Sequence, residues 1–221
     1  IRYGESTIRL CHVHGSETDD SFAINTGNVE PHRGFGHIAV MTPDVYAASE
    51  ELEAAGVKFQ KRPNEGRMKG LAFALDPDGY WVEIVSRNKD SVVSASLKFS
   101  FAQTMLRVKD AAASVAFYCK TLGMTNLREI HFPPESGDFS LYFLAQLAPG
   151  QTVPAPTSED SAEYIRSMFP QVLELTHNHG TESPDSTFAG YHNGNDEDLD
   201  AGVCVCVCVC VCVSLCLSVS L

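Results

Sequence analysis

The chain has 221 residues, with 16 Lys or Arg against 28 Asp or Glu, and a formal net charge of −12 at pH 7. This length excludes a large multidomain assembly, and the acidic balance excludes the clustered basic surface of a nucleic-acid-binding protein. Apolar residues make up 44% of the sequence and charged residues 20%, so a sizeable core can form and general disorder is excluded.

An internal repeat marks the two ends of the chain. The chain begins with Ile1 rather than Met, inside a stretch, STIRLCHVHG, that predicts a strand. A segment that starts at Leu10, LCHVHGSETDDSFA, recurs from Leu175 as LTHNHGTESPDSTFA. This repeat indicates the end of one copy followed by the beginning of another. We therefore expect residues 1–30 to be the tail end of a truncated preceding module.

Residues 31–88 show the pattern of a strand, a helix and three strands. A strand, HIAV, follows Gly36, and an amphipathic helix, DVYAASEELEAA, ends at Gly56. Three short strands are predicted at VKFQKR, GLAFALD and YWVEIVS, and the turn sequence DPDG separates the last two. These elements predict one βαβββ module.

After a linker at residues 89–100, residues 101–195 repeat this order. The strand QTMLRVK precedes a helix, DAAASVAFYCKTLG, and the strands TNLREIHF, DFSLYFLAQL and QVLELTHN follow. An insertion with a short helix, PGQTVPAPTSEDSAEYIRSMFP, separates the last two strands. We expect an α+β fold with two such modules.

Residues 196–221 combine an acidic stretch with an alternating Val-Cys tail, and six of the eight cysteines lie there. The tail is either a membrane span, although no basic residues flank it, an aggregation-prone strand, or a translated GT dinucleotide repeat, since GTG encodes Val and TGT encodes Cys. We favour the third interpretation and leave the tail out of the fold prediction. Only Cys11 and Cys119 remain elsewhere, which indicates a cytoplasmic protein.

Two carboxylates lie among apolar residues in predicted strands, namely Glu83 in YWVEIVS and Glu174 in VLELTHN. Either they face solvent, or they are buried and need a partner, a metal or a raised pKa. His37 and Gln103 lie on the first strands of the two modules, as structural polar residues or as ligands. If the modules pack about a pseudo-twofold axis, the four side chains converge. Such an oxygen and imidazole set suits a divalent transition-metal ion with open positions.

Several segments resemble the glyoxalase I (lactoylglutathione lyase) family of the vicinal oxygen chelate superfamily, namely RGFGHIAV, KGLAFALDPDGYWVEI, QTMLRVKD, FYCKTLGMT, FSLYFLA and LELTHNHGTE. The resemblance covers roughly residues 8–195. It implies paired βαβββ modules that form a curved sheet around a metal site. The implied ligands are Gln103, Glu174, His37 and Glu83, with zinc as the expected metal and nickel or cobalt as alternatives.

The resemblance also implies an activity, the isomerisation of the hemithioacetal of methylglyoxal and glutathione to S-lactoylglutathione. The reaction proceeds by metal-assisted proton transfer through an enediolate, with Glu83 as the main base and Glu174 serving the opposite face. The implied glutathione-binding residues are Arg33, Lys61, Arg107 and Asn178. The implied apolar pocket around the thioether and methyl groups consists of Met68, Phe132 and Phe139. We expect a small-molecule substrate and no nucleic-acid or membrane partner.

The repeat and the resemblance together imply a piece of a tandem two-copy form, in which the second module of copy one pairs with the first module of copy two. The modules pair either within one chain, as a monomer, or between two chains, as a swapped homodimer. The position equivalent to Glu174 is Arg9 in the first copy, and the position equivalent to Asn178 is Val13. Because a cation cannot ligate zinc, we expect the other site of the longer protein to be altered.

Two other functions remain open. The chain is either an enzyme or a truncated, inactive fragment or binding domain with the same fold. A metal-dependent dioxygenase is a weaker alternative. That class binds iron through two histidines and one glutamate, whereas this chain has one matching histidine, His37, and two glutamates, Glu83 and Glu174. The further histidines, which we interpret as structural, are His12, His14, His177 and His179.

Overall fold

A computed structural model describes residues 2–3, 6–8, 10–88, 97–167 and 171–194. The acidic stretch and Val-Cys tail expected at residues 196–221, Arg9, and residues 89–96 of the expected linker lie outside the described residues. Across the described ranges, no helix is both long and apolar enough to cross a membrane.

The first module follows two short strands that pair with each other, β1 (Arg2–Tyr3) and β2 (Ser6–Thr7). The Asp44 side chain accepts a hydrogen bond from the Ala47 N–H, which caps the start of the module's helix. The elements of this module are β3 (Phe35–Thr42), α1 (Val45–Ala54), β4 (Phe59–Lys61), β5 (Ala72–Leu75) and β6 (Trp81–Ser86).

The second module has the same order, and its helix is capped in the same way, by Asp110 accepting from the Ala113 N–H. The second half of the predicted helix widens into a π-type turn, Phe117–Thr121. The elements are β7 (Ser100–Arg107), α2 (Ala111–Ala116), β8 (Thr125–Phe132), β9 (Phe139–Ala145), α3 (Asp160–Ser167) and β10 (Val172–Asn178).

The two modules share one curved, unclosed eight-stranded sheet in the order β4-β5-β6-β3-β7-β10-β9-β8. In each module the first and last strands are parallel neighbours, β3 with β6 and β7 with β10. The modules meet where β3 pairs antiparallel with β7. An antiparallel pair of equivalent strands relates the modules by a pseudo-twofold axis. The predicted α+β fold of paired βαβββ modules is confirmed.

Both helices of the βαβββ units cover the same face of the sheet. Val45 of α1 packs with Val40 and Ile84, and Val115 of α2 packs with Leu173 and a cluster of other buried leucines. Successive residues of a strand point to opposite faces, so the neighbours of these residues in sequence face the other way. The metal ligands predicted from the sequence, His37, Glu83, Gln103 and Glu174, therefore lie on the face opposite α1 and α2.

The strand predicted at STIRLCHVHG is wrong beyond its first residues. Only β2 forms there, and residues 10–13 are in no strand. The equivalent residue of the second copy, Leu175, lies in β10 and is paired on both sides, with Leu106 and Tyr142. Period-two alternation forms a strand only where neighbouring strands satisfy its backbone, and within the described ranges no strand pairs with residues 10–13.

Candidate functional site

The register of the four central strands brings the predicted ligands together. Ala39 on β3 lies beside Glu83 on β6 and opposite Gln103 on β7. His37 lies two residues before Ala39, on the same face of the sheet. Gln103 in turn lies beside Val172 on β10, two residues before Glu174. Each module thus contributes one residue from its first strand and one from its last.

These four side chains, the donor cluster, are in direct contact. His37 Nε2 is 3.2 Å from Glu83 Oε2 and 3.5 Å from Glu174 Oε2. The Gln103 amide donates hydrogen bonds of 2.9 Å to Glu83 and 2.5 Å to Glu174. None of the four residues is more than 6% exposed. The solvent-facing alternative for the two carboxylates is therefore excluded.

Burial and charge act against each other in the donor cluster. Burial opposes a charged imidazole, but the carboxylates of Glu83 and Glu174 outweigh it and raise the pKa of His37 to about 10. Burial raises the pKa of Glu174, and the charge of Glu83 adds to this effect, against the contacts with His37 and Gln103. Two buried carboxylates and one imidazole are an arrangement that a cation stabilises.

The donor cluster fits a divalent metal ion. One donor atom from each of His37, Glu83 and Glu174 lies within 4.8 Å of the others. Both ring nitrogens of His37 are buried without a hydrogen-bond partner among the described residues, although Nε2 faces both carboxylates. The Gln103 amide now directs its NH₂ group to the carboxylates, and a half-turn of the amide presents its oxygen instead. One nitrogen and three oxygen donors match the preferences of zinc and related ions.

Arg107 and Asn178 lie at one end of the donor cluster. Arg107 follows Gln103 by four residues on β7, and Asn178 follows Glu174 by four residues on the parallel strand β10. The Arg107 guanidinium donates to the carbonyl oxygens of Phe35 (2.9 Å) and Gly27 (3.2 Å) and to the side chain of Asn28 (2.9 Å). Both predicted residues therefore lie on the sheet face that carries the donor cluster.

The other two predicted cations differ in their surroundings. Arg33 precedes β3, is half-buried, and lies 3.6 Å from the Glu30 carboxylate. Lys61 on β4 shares the face of Glu83 through Phe73, which pairs with both residues. Its ammonium group donates to the Leu71 carbonyl at 2.7 Å. Partial burial lowers the pKa of Lys61, while the Glu83 carboxylate opposes that effect.

Two of the three predicted apolar residues, Phe132 and Phe139, lie together next to Asn178. The Phe132 and Phe139 rings are stacked, with centroids 4.5 Å apart, and Phe139 is the strand partner of Asn178. Met68 is 38% exposed. Its neighbour Arg67 donates to a backbone carbonyl in the turn that joins β8 and β9. The loop that carries Met68 therefore reaches the hairpin that carries the two phenylalanines.

The chain matches the Glyoxalase/Bleomycin resistance protein/Dioxygenase superfamily over residues 2–84 and 100–203. It belongs to this superfamily. It is 46% identical to a glyoxalase I of Saccharomyces cerevisiae over 192 residues, which are 86% of this chain and 54% of the yeast protein. It is 40% identical to a lactoylglutathione lyase of Schizosaccharomyces pombe over 194 residues, covering 88% of this chain and 58% of that protein. The resemblance to glyoxalase I found in the sequence is confirmed.

The chain spans little more than half the length of these two relatives. Among solved structures, glyoxalase I from Zea mays is 33% identical, with a TM-score of 0.47, and the match covers 66% of this chain and 43% of the maize chain.

Sequence reasoning missed several residues near the donor cluster of this glyoxalase-superfamily chain. The Phe73 ring lies 5.2 Å from the His37 ring, and the Trp81 ring lies 5.3 Å from the Phe73 ring, between centroids. Strand alternation does place Trp81 on the face of Glu83, whereas Phe73 reaches that face through its pairing with Glu83, which alternation within one strand does not give. Tyr191, which accepts a hydrogen bond from Asn178 at 2.5 Å, lies in a loop where no periodicity exists to mark it.

Three of the four histidines interpreted as structural, His12, His177 and His179, make hydrogen bonds away from the donor cluster, and the fourth, His14, packs edge-on against His12 with ring centroids 5.5 Å apart. His177 Nε2 is 2.8 Å from the Glu182 carboxylate, and the equivalent His12 Nε2 is 2.9 Å from Glu17. His179 contacts the Asp138 carboxylate at 2.8 Å through Nδ1 and the Ser140 hydroxyl at 2.7 Å through Nε2. His177 and Ser140 are strand partners on the face of α1 and α2. These contacts support a structural role.

Proposed function

We propose that this chain contains one complete glyoxalase I site and acts as a lactoylglutathione lyase. The substrate is the hemithioacetal of methylglyoxal and glutathione, and the product is S-lactoylglutathione. The observation that supports this proposal most strongly is the buried donor cluster, to which each module contributes two of the four side chains. The similarity to two yeast proteins named glyoxalase I and lactoylglutathione lyase points to the same chemistry.

The donor cluster holds the metal in this proposal, with zinc as the expected ion and nickel or cobalt as alternatives. His37, Glu83, Gln103 and Glu174 are its ligands. A bound divalent cation supplies positive charge where negative charge develops on the substrate oxygens.

The two carboxylates move the proton. Glu83 removes it from the carbon atom next to the carbonyl group, and Glu174, on the other side of the donor cluster, serves the opposite face of the substrate. Low solvent exposure makes a carboxylate more basic than in water, and burial raises the pKa of Glu174. One proton leaves one carbon and one proton is added to its neighbour, so the reaction is an isomerisation.

The substrate-binding residues are assigned by their position on the sheet face that carries the donor cluster. Glutathione carries two carboxylates, and an acidic protein needs fixed cations to bind them. Arg33, Arg107 and Asn178 lie at one end of the donor cluster, and Lys61 lies across it on β4. The stacked rings of Phe132 and Phe139, with the Met68 loop next to them, enclose the thioether and methyl groups.

Assembly and location complete the proposal. The β3–β7 pairing supports a monomer in which two modules form the site within one chain, and a swapped homodimer is the alternative. The chain then corresponds to part of a tandem two-copy protein. Sparse cysteine usage outside the Val-Cys tail supports a cytoplasmic location.

Metal content and turnover of the full chain test this function. We expect one zinc ion per chain and formation of the thioester from methylglyoxal and glutathione. Glu83→Gln should abolish turnover. Glu50→Gln, on the exposed face of α1, should leave zinc content and turnover unchanged. A folded chain that binds zinc without turnover would support a binding domain, and one that binds no metal would support the inactive fragment.

A further inference from the structure

The segment that follows β10, residues 186–194, crosses the end of the candidate site where Asn178 lies. Tyr191 accepts a hydrogen bond of 2.5 Å from the Asn178 amide. Its ring packs edge-on against Phe188, with centroids 4.7 Å apart. The Lys109 ammonium group donates to the Phe188 carbonyl at 3.1 Å. The 186–194 segment is thus attached to β10 and to the turn that follows β7, next to residues already assigned to substrate binding.

A close backbone approach attaches the same segment to the first module. The His192 N–H donates to the Arg33 carbonyl at 2.8 Å. Gly34 makes this approach possible, because a Cβ atom at that position would collide with the His192 carbonyl oxygen. The Tyr191 side chain is therefore held between two backbone attachments and the Asn178 amide.

Two guanidinium groups lie at this end of the candidate site, and one of them, that of Arg107, has both Arg33 and Tyr191 as electrostatic neighbours. Burial lowers the pKa of Arg107, and the positive charge of Arg33 lowers it further, while Tyr191 acts in the opposite direction. Arg33 Nε is buried without a hydrogen-bond partner, since the Glu30 carboxylate is 3.6 Å away. Two neighbouring cations with an unused donor form a surface that favours an anion.

The hydroxyl group of Tyr191 has one donor left. Its oxygen accepts from Asn178, and a phenol carries a single O–H donor in addition to its acceptor capacity. Among the residues that the structure describes, no acceptor receives the Tyr191 O–H. A half-buried donor next to the Arg107 guanidinium, itself a neighbour of Arg33, is complementary to a carboxylate.

We propose that Tyr191 is a substrate-binding residue: it donates its O–H to one carboxylate of the glutathionyl group, which Arg33 and Arg107 attract, and it fixes the Asn178 amide. This inference rests on the proposed function. It assigns the 186–194 segment to the wall of the substrate site.

Steady-state kinetics of Tyr191→Phe in the full chain give the first test, because this change keeps the ring on Phe188 and removes only the hydroxyl group. A hydrogen bond to a charged group corresponds to roughly a tenfold change in binding. We expect KM for the hemithioacetal to rise about tenfold, with kcat and zinc content unchanged. Tyr46→Phe, at an exposed position of α1, is the matched control and should leave KM, kcat and zinc content unchanged. An unchanged KM in Tyr191→Phe would overturn the inference.

Binding of S-hexylglutathione and of its two monoethyl esters gives the second test, since each ester removes one carboxylate charge. We expect Tyr191→Phe to weaken the binding of S-hexylglutathione. It should not weaken the binding of the ester in which the carboxylate contacted by Tyr191 is blocked. Equal weakening of all three ligands, or of none, would overturn the inference while leaving the proposed function intact. If the unaltered chain binds no S-hexylglutathione, the proposed function itself fails.

Discussion

Ala39 and Gln103 face each other across the antiparallel pair β3–β7, the only strand pair between the two modules within the described residues. Ala39 is completely buried, and its small side chain lies beside Glu83 and opposite Gln103 on the face that carries the donor cluster. The site therefore depends on close packing at the module boundary, and a larger residue at position 39 would occupy the space of the donors.

Ala39→Leu should lower both stability and metal binding. Extra methyl groups in a filled core cost about 1–3 kcal/mol, and the added side chain displaces Glu83 or Gln103. Urea unfolding and zinc content measure the two effects. Ala54→Leu, at an exposed position of α1, should change neither by a measurable amount. Normal zinc content in a destabilised Ala39→Leu would show that the donors do not depend on this contact.

Removal of zinc with a chelator should destabilise the chain. A ligand present at a thousand times its Kd contributes about 4 kcal/mol to the free energy of unfolding. Unfolding of the zinc-loaded and chelator-treated protein measures this difference. The same treatment should leave Glu174→Gln almost unaffected, because that variant lacks one ligand. An equal chelator effect in the two proteins would place the bound zinc elsewhere.

Gln103→Glu should make the chain more dependent on its metal. The change places a third carboxylate beside Glu83 and Glu174, where an uncompensated buried charge costs about 3 kcal/mol. Without zinc we expect a lower free energy of unfolding by about that amount, and with zinc most of the loss should be recovered. Gln60→Glu, at an exposed position of β4, is the control. A zinc-independent loss in Gln103→Glu would argue against Gln103 as a ligand.

Ser140→Ala should reduce stability without affecting the site. The Ser140 hydroxyl lies 2.8 Å from His131 Nδ1 and 2.7 Å from His179 Nε2, and the residue is 1% exposed. Loss of its hydroxyl leaves polar groups unsatisfied, at a cost of about 1–3 kcal/mol. Zinc content and kcat should not change, because these residues lie on the face of α1 and α2. Ser167→Ala, at an exposed position of α3, is the control and should not change the free energy of unfolding. A fall in the zinc content of Ser140→Ala would contradict the structural role of Ser140.

Much of the fold could be predicted because the local patterns and the pairing agree. Both helices and the strands of both modules follow from periodicity, and the structure shows that the aspartate at the start of each helical pattern, Asp44 or Asp110, caps its helix. Convergence of the donor cluster required one assumption, the pseudo-twofold pairing, which no local pattern contains. The burial of Glu83 was undecidable from alternation, since apolar residues occupy both faces of YWVEIVS.

Other features depended on contacts distant in sequence. Residues 10–13 alternate like a strand, yet a strand also needs neighbours. Tyr191 reaches Asn178 through a loop, where side-chain positions have no period. Gly34 is close to His192 in space but far from it in sequence. Such relationships arise only when the modules have been assembled.

The turn that occurs in both copies has a consequence for how the chain folds. The pairs His12–Glu17 and His177–Glu182 form at equivalent positions, although β10 leads directly into one turn and residues 10–13, which precede the other, are in no strand. Hydrogen bonds of Ser16 and Thr181 to the backbone three residues earlier accompany them. The turn is thus encoded by its own residues. Contacts this short in sequence close in about 10–100 ns, so both turns can form well before the slower pairing of distant strands assembles the sheet.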